Sequence, residues 1–361
     1  HIKEVFMTDE YLMQSEFSEK VFITDSALFG GDKDSRQRTE NIRAAAKKLG
    51  EKILSKGHKL YILSDHRLGE EIESALKRTI RLSPYLSEDV RCILAVGGGQ
   101  TAEKGKAMAS AMGIPLFIWC TAPDSDTYLS PFFVQKVNGM PAVEECREAE
   151  AAVVDLAAPL EDTDVKRGVG LVAKALLALP ETSSGELTDI IKECFFVDFS
   201  KLTPQRKLIL YSALFKISLK KTRDNGYLLT SADNLAEILS LKKGNKADFA
   251  YPCARMLTEI YSEVCENSDC FALPPDQIKL NEIIKRRKFR EPRRRAETGY
   301  PVKCPDISAV RETYRALALF EDFCSDKLPF TKTELREALI LAAAVSDKGT
   351  LNELYSAGVF G

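Results

Sequence analysis

Over the first 160 residues, short apolar runs alternate with stretches in which apolar residues recur every three or four positions. The runs at 21–24, 59–63, 92–96, 115–120 and 151–156 are short and bounded by polar or turn residues, which predicts strands. Between them, 36–56 sets Ile42, Ala45, Ala46, Leu49, Ile53 and Leu54 at helical spacing and closes at Gly57. The segments 68–76 and 101–112 also read as helices. Repeated strand and helix units of this kind predict a doubly wound α/β sheet. From residue 165 the period changes. Helical spacing dominates through 165–179, 186–196, 204–220, 231–241, 247–266, 310–324 and 331–344, with few strand-like runs, so the second half is expected to be all-α. The boundary is placed at 160, giving an α/β domain over 1–160 and a helical domain over 161–361.

Candidate chemistry concentrates where the predicted strands end. The 92–96 run breaks on Gly97, Gly98 and Gly99 before the helix at 101–112. Glycines permit positive φ and carry no side chain, so a phosphate can approach the backbone amides and the positive end of the following helix. The next strand ends in Thr121, Asp124, Ser125 and Asp126, polar groups at the carboxyl edge of a parallel sheet, where such folds hold their ligands. The strand at 59–63 ends in Ser64 and Asp65. An acid there either accepts the hydroxyls of an adenosine ribose or caps the next helix, and the sequence leaves both open.

Composition narrows the classes. A chain of 361 residues with 45% hydrophobic and 29% charged content is long enough for two domains with cores of their own. The formal net charge of -2 gives no overall pull towards nucleic acid or membrane. No apolar run reaches the roughly 18 residues of a membrane span, and no signal-peptide pattern opens the chain, so a cytoplasmic protein is expected. Nine cysteines without a CxxC pair suit reduced thiols, with Cys92 and Cys120 as small core residues. One stretch departs from the balanced charge. The basic run 285–295 is either a solvated loop or a patch for a phosphorylated ligand, an acidic partner or RNA.

Gly97-Gly98-Gly99, Lys106, Thr121-Ala122-Pro123, Asp126 and Ser130-Pro131, in that order, resemble the iron-containing alcohol dehydrogenase and dehydroquinate synthase superfamily. The spacing of the Thr-Ala-Pro, Asp and Ser-Pro groups is most similar to its glycerol-1-phosphate dehydrogenase branch. The resemblance implies an α/β N-terminal dinucleotide-binding domain, an all-α C-terminal domain, and a cleft between them. There NAD or NADP would meet a small alcohol or polyol phosphate beside a divalent metal. Carried over position by position, Gly97, Gly98 and Gly99 would meet the cofactor pyrophosphate, Asp65 its adenosine, and Thr121 and Ser125 its nicotinamide side. Asp126 would receive a polyol hydroxyl, and Lys174 matches a further lysine of the motifs. Gln100 and Glu103 stand where the family has Ser or Thr and Asp, which keeps polarity and lengthens both side chains in the cofactor pocket.

The metal ligands depart from the family. There, one Asp and two His hold a Lewis acid that polarises the substrate alcohol, because hydride leaves more easily from an alkoxide. Gly170 occupies the Asp position, and the best counterparts of the two His positions are Asn234 and Lys243. The chain's three histidines, His1, His58 and His66, all precede the helical half, so a divalent metal is not expected to be held in the family's manner. A remaining cation would rest on oxygen ligands, which favour Mg or Mn. Alternatively Lys243 places an ammonium where the metal's charge would sit, or is a surface lysine on a turn. Two functions follow from the resemblance. One is an NAD(P)-dependent oxidoreductase acting on a small polyol phosphate or alcohol with a rebuilt or absent metal site, using Asp126, Lys174 and Lys243. The other is a catalytically degenerate relative acting as a nucleotide-binding or regulatory protein. A lyase of the dehydroquinate synthase type is a third, and the same missing ligands count against it. The expected partners are a small molecule, phosphorylated in one version of the reading, and a second copy in a homodimer, with neither membrane nor nucleic acid.

Overall fold

The computed structural model describes residues 21–24, 35–57, 59–64, 68–77, 81–137, 139–156, 160–182, 185–221, 230–266, 305–325 and 327–345. Asp65, His58, His66 and the basic run 285–295 lie outside the described residues. In chain order the elements are β1 (Val21–Thr24), α1 (Ser35–Leu54), β2 (Lys59–Ser64), α2 (Leu68–Leu76), β3 (Arg81–Ser83), β4 (Cys92–Gly97), α3 (Gly99–Met112), β5 (Leu116–Cys120), β6 (Phe132–Val137), β7 (Met140–Glu145) and β8 (Ala151–Asp155). The helices α4 (Asp162–Lys174), α5 (Ala178–Thr182), α6 (Glu186–Ile191), α7 (Pro204–Lys220), α8 (Ser231–Ser240), α9 (Ala250–Glu266), α10 (Ile307–Ala318) and α11 (Lys332–Val345) follow. Contacts divide the chain into two units, one of 1–133, 144–168 and 197–219, the other of 134–143, 169–196 and 220–361.

The first unit is built on a six-stranded parallel sheet in the order β1-β8-β5-β4-β2-β3. Successive side chains of a strand point to opposite faces, and here both faces are covered. Cys92, Leu94, Val96, Phe117 and Trp119 pack with Ile42, Leu49, Ile53, Ile72 and Leu76 of α1 and α2. Ile93, Ala95, Leu116, Ile118 and Cys120 pack with Ala102 and Ala109 of α3 and with Leu208, Tyr211 and Phe215 of α7. Alternating residues therefore serve two cores, which is why the strands read as unbroken apolar runs. Gly105 lets α3 lie close to the sheet. A Cβ there would stand 2.9 Å from Ala95 Cβ and 3.0 Å from Leu116 Cδ1.

The doubly wound α/β sheet and the helical second half are as the periodicity predicts. Beyond residue 160 every described element is a helix or a 3-10 turn. The short edge strand β3 and the two-stranded β6–β7 sheet were not expected. β3 is only three residues long, and β7 carries the polar Glu144 and Glu145 at its end, so neither offers a strong apolar run. In the second unit, Thr230 and Asp233 form a reciprocal capping box at the start of α8. No helix among the described residues is long and apolar enough to cross a membrane.

Candidate functional site

The residues of the glycine motif meet where β4 and β5 end. Gly97 closes β4, and its carbonyl accepts the Thr121 amide at 3.0 Å, so the ladder continues one residue past β5. Gly98 is the N-cap of α3, and it supplies no side chain to satisfy the amides of the first turn. That task falls to Asp124, twenty-five residues on, whose Oδ1 accepts the Gly99 amide at 2.7 Å. The glycines serve close approach and not the positive φ that their type suggested. Gly98 has φ -82°, and neither Gly97 nor Gly99 is among the positive-φ glycines. A Cβ on Gly98 would lie 2.8 Å from each Asp124 carboxylate oxygen, and one on Gly99 would lie 2.8 Å from Ser125 Cβ and 3.1 Å from the Asp124 carbonyl.

One face of α3 is joined to the segment that follows β5. Gly99, Glu103 and Lys106 are spaced by four and three residues and so lie on one side of the helix. Glu103 Oε1 accepts the Thr127 hydroxyl at 2.6 Å, and Thr127 in turn pairs with Ser125 Oγ at 3.0 Å. The Lys106 ammonium is buried and donates to the carbonyls of Thr127, Ser130 and Phe132 and to Ser130 Oγ. Glu103, Lys106, Ser125 and Ser130 thus form with Thr127 a continuous network that fixes this segment on the helix, and Gly99 is tied to the same segment through Asp124. Asp126 and Thr121 are buried beside it, and Gln100 is exposed on the first turn of α3.

Burial raises the Asp124 carboxyl above the usual carboxylate range. The Gly99 amide, the Tyr128 hydroxyl at 3.1 Å and the more distant Arg167 oppose that rise, and Asp164 adds to it. The Tyr128 hydroxyl is shared with the Ala122 carbonyl at 2.7 Å. These groups hold a carboxylate against the positive end of a 14-residue helix, where an anion is stabilised. The chemistry of the turn therefore fits an anionic group, since one from the chain's own loop already sits there.

The lysine and metal positions belong to the second unit. The Lys174 ammonium is bonded to Asp233 Oδ1, which also takes Lys221 Nζ at 3.3 Å. Asp233 Oδ2 accepts the Thr230 amide at 2.8 Å and its hydroxyl at 2.9 Å. Both lysine side chains are almost wholly buried. Of the three positions matched to metal ligands, Gly170 carries no donor and adjoins Tyr251 and Ala247, Asn234 offers only an amide, and Lys243 is exposed on the turn after α8. Glu237, one turn along α8, pairs with Lys246 at 2.9 Å. A carboxylate engaged by two ammoniums beside these residues is a poor ligand for Zn or Fe, so the donor set does not fit the metal that the resemblance implies. Among the described residues, no group of three or more His, Cys, Asp or Glu side chains is arranged to hold an ion.

A third polar cluster surrounds Glu181 on α5. Its carboxylate accepts the Ser231 amide at 2.9 Å and the Tyr261 hydroxyl at 2.5 Å, and burial pushes its pKa up to about 7 against those hydrogen bonds. Sequence reasoning missed Glu181, Lys221 and the capping part of Asp124. Only Asp124 left a trace, a helix start without a capping side chain of its own followed by a polar strand end.

No protein-family model matches the chain, and no curated protein matches it in sequence. Solved structures do match in fold. An alcohol dehydrogenase from a halo-thermophilic archaeon of a Red Sea brine pool superposes with TM-score 0.63 at 10% identity, covering 95% of this chain and 96% of that one. An iron-containing alcohol dehydrogenase of Thermotoga maritima gives TM-score 0.56 at 12% identity over 86% and 94% of the two chains. A probable glycerol dehydrogenase of Sinorhizobium meliloti gives 0.55 at 14% identity over 94% and 95%. At these identities the likeness shows a shared fold, which is the one the motifs implied.

Proposed function

We propose that this chain is an oxidoreductase-like protein that binds NAD or NADP at the β4–α3 turn and has given up metal-dependent hydride transfer, acting as a nucleotide-binding or regulatory protein. The observation that carries this reading is Gly170, which offers no donor at a position the motif gives to a metal ligand, one turn of α4 from the buried ion pair of Lys174 with Asp233. The anion-holding turn at Gly98 and Gly99 supports the cofactor half, with Gly97, Gln100, Glu103, Thr121, Ser125 and Asp65 as the proposed cofactor residues. The proposal keeps the division in sequence into a dinucleotide-binding domain over 1–160 and a helical domain over 161–361, with α7 of the latter packed on the sheet of the former, in a cytoplasmic protein that pairs as a homodimer. Titration calorimetry with NADH and NADPH and elemental analysis of protein purified without chelator test it. Heat from either dinucleotide with no stoichiometric Zn or Fe is expected. Stoichiometric Zn or Fe would overturn the reading of the metal site.

The burial of Asp126 and Thr121 next to the turn favours a second reading. In it the protein is an NAD(P)-dependent dehydrogenase of a small alcohol or polyol phosphate, closest to the glycerol-1-phosphate dehydrogenase branch. Asp126 receives the substrate hydroxyl, and Lys174 or Lys243 supplies positive charge. Reduction of NAD(P) by a polyol phosphate that survives chelator would establish this reading over the first.

A further inference from the structure

We propose that the Asp124 carboxylate is a built-in occupant of the anion site at the start of α3, and that a dinucleotide diphosphate binds there only by displacing it. The inference rests on the cofactor reading above and adds a gate to it. Three observations carry it. The Gly99 amide, which would face a phosphate oxygen, is already spent on Asp124 Oδ1 at 2.7 Å. The space over Gly98, left open by the missing side chain, holds both oxygens of the same carboxylate, each 2.8 Å from where a Cβ would stand. The carboxylate is also held from behind by the Tyr128 hydroxyl, and Tyr128 is fully buried and anchored to the Ala122 carbonyl.

A diphosphate entering this turn therefore meets a negative charge at the position it needs, and two anions at one helix end repel. The charged groups that act on Asp124 from the neighbouring helix are Arg167 and Asp164 on α4, one of each sign. They are ion-paired with each other at 3.5 Å and give the carboxylate little reason to leave. Rotation of Asp124 away from Gly98 would free both the amide and the space in one movement, so the turn has a closed form with the carboxylate in and an open form that takes phosphate.

The test is titration calorimetry of NADH, NADPH and inorganic pyrophosphate against the full chain in four forms: unchanged, Asp124→Asn, Asp124→Ala and Tyr128→Phe. Removing the charge is expected to tighten dinucleotide and pyrophosphate binding by roughly tenfold or more, while Tyr128→Phe, which keeps the charge but removes the hydroxyl that Asp124 shares with the Ala122 carbonyl, gives a smaller gain in the same direction. Tyr128→Phe also keeps the test alive should the Asp124 variants fold poorly. Equal affinity of all four forms would overturn the gate and leave the cofactor reading standing. Absence of binding by every form to every ligand would overturn both.

Discussion

A double-mutant cycle between Gly98 and Asp124 tests the geometry of the turn without any ligand. In Gly98→Ala the new Cβ would stand 2.8 Å from both Asp124 oxygens, closer than real Cβ contacts come. Gly98 lies between β4 and α3, so the side chain is the part that gives. Moving it breaks the 2.7 Å bond to the Gly99 amide and the 3.1 Å contact with Tyr128. A hydrogen bond to a charged group contributes about 1.5–3 kcal/mol net, and the helix start would be left uncapped. Gly98→Ala is therefore expected to cost roughly 2–3 kcal/mol, and Asp124→Ala a similar amount by removing the same bonds. With Asp124 already gone the added methyl has room, so the double variant should be little worse than either single one, a coupling of about 2 kcal/mol. Urea unfolding followed by fluorescence of Trp119 suits the measurement. Trp119 is the chain's one tryptophan and is fully buried in β5, in the same unit as the turn. Costs that add to within about 0.5 kcal/mol would refute the contact on which both the capping argument and the gate depend.

Lys106→Met should destabilise the first unit by roughly 3–5 kcal/mol in the same fluorescence assay, because the carbonyls of Thr127, Ser130 and Phe132 lose a buried ammonium; a loss under about 1 kcal/mol would show that the network is not structural. Asp233→Ala strips an acceptor from two buried lysines and should cost at least about 3 kcal/mol by helical circular dichroism, whereas Lys243→Ala, on an exposed turn, should stay within about 0.5 kcal/mol. Glu181 gives a pH signature. Its folded pKa of about 7 lies above the ordinary 4.5, so the fold favours the protonated acid, and its contribution to stability is greatest below pH 4.5 and is lost as pH rises to about 7. Glu181→Gln should then lie up to roughly 3 kcal/mol above the unchanged protein at pH 8 and show no such gain at pH 4, and a gain independent of pH would sink the assignment.

The sequence by itself determined the sheet and most of the helices, because strand and helix periods depend on nearest neighbours along the chain. Strands β4 and β5 were recognisable since both their faces are buried, and α8 and α11 by the apolar faces over 231–241 and 331–344; the caps of Thr230 with Asp233 and of Thr331 with Glu334 were found only in the structure. β3 escaped because it is three residues long and pairs in parallel with a strand on the far side of α2, and the β6–β7 pair, whose strands are separated only by 138–139, because its apolar signal is confined to the start of β6. The site divided along the same line. Gly98 and Gly99 were picked out by type, and Glu103 and Lys106 by the resemblance, which together say that something must approach closely at the start of α3. They do not say what. Whether the group against Gly98 is a ligand's phosphate or the chain's own Asp124 depends on how the segment after β5 returns across the turn, a contact 25 residues apart in sequence. Likewise the resemblance singled out Gly170 and Lys174, but only tertiary packing brought Lys174 and Lys221 onto one carboxylate oxygen of Asp233.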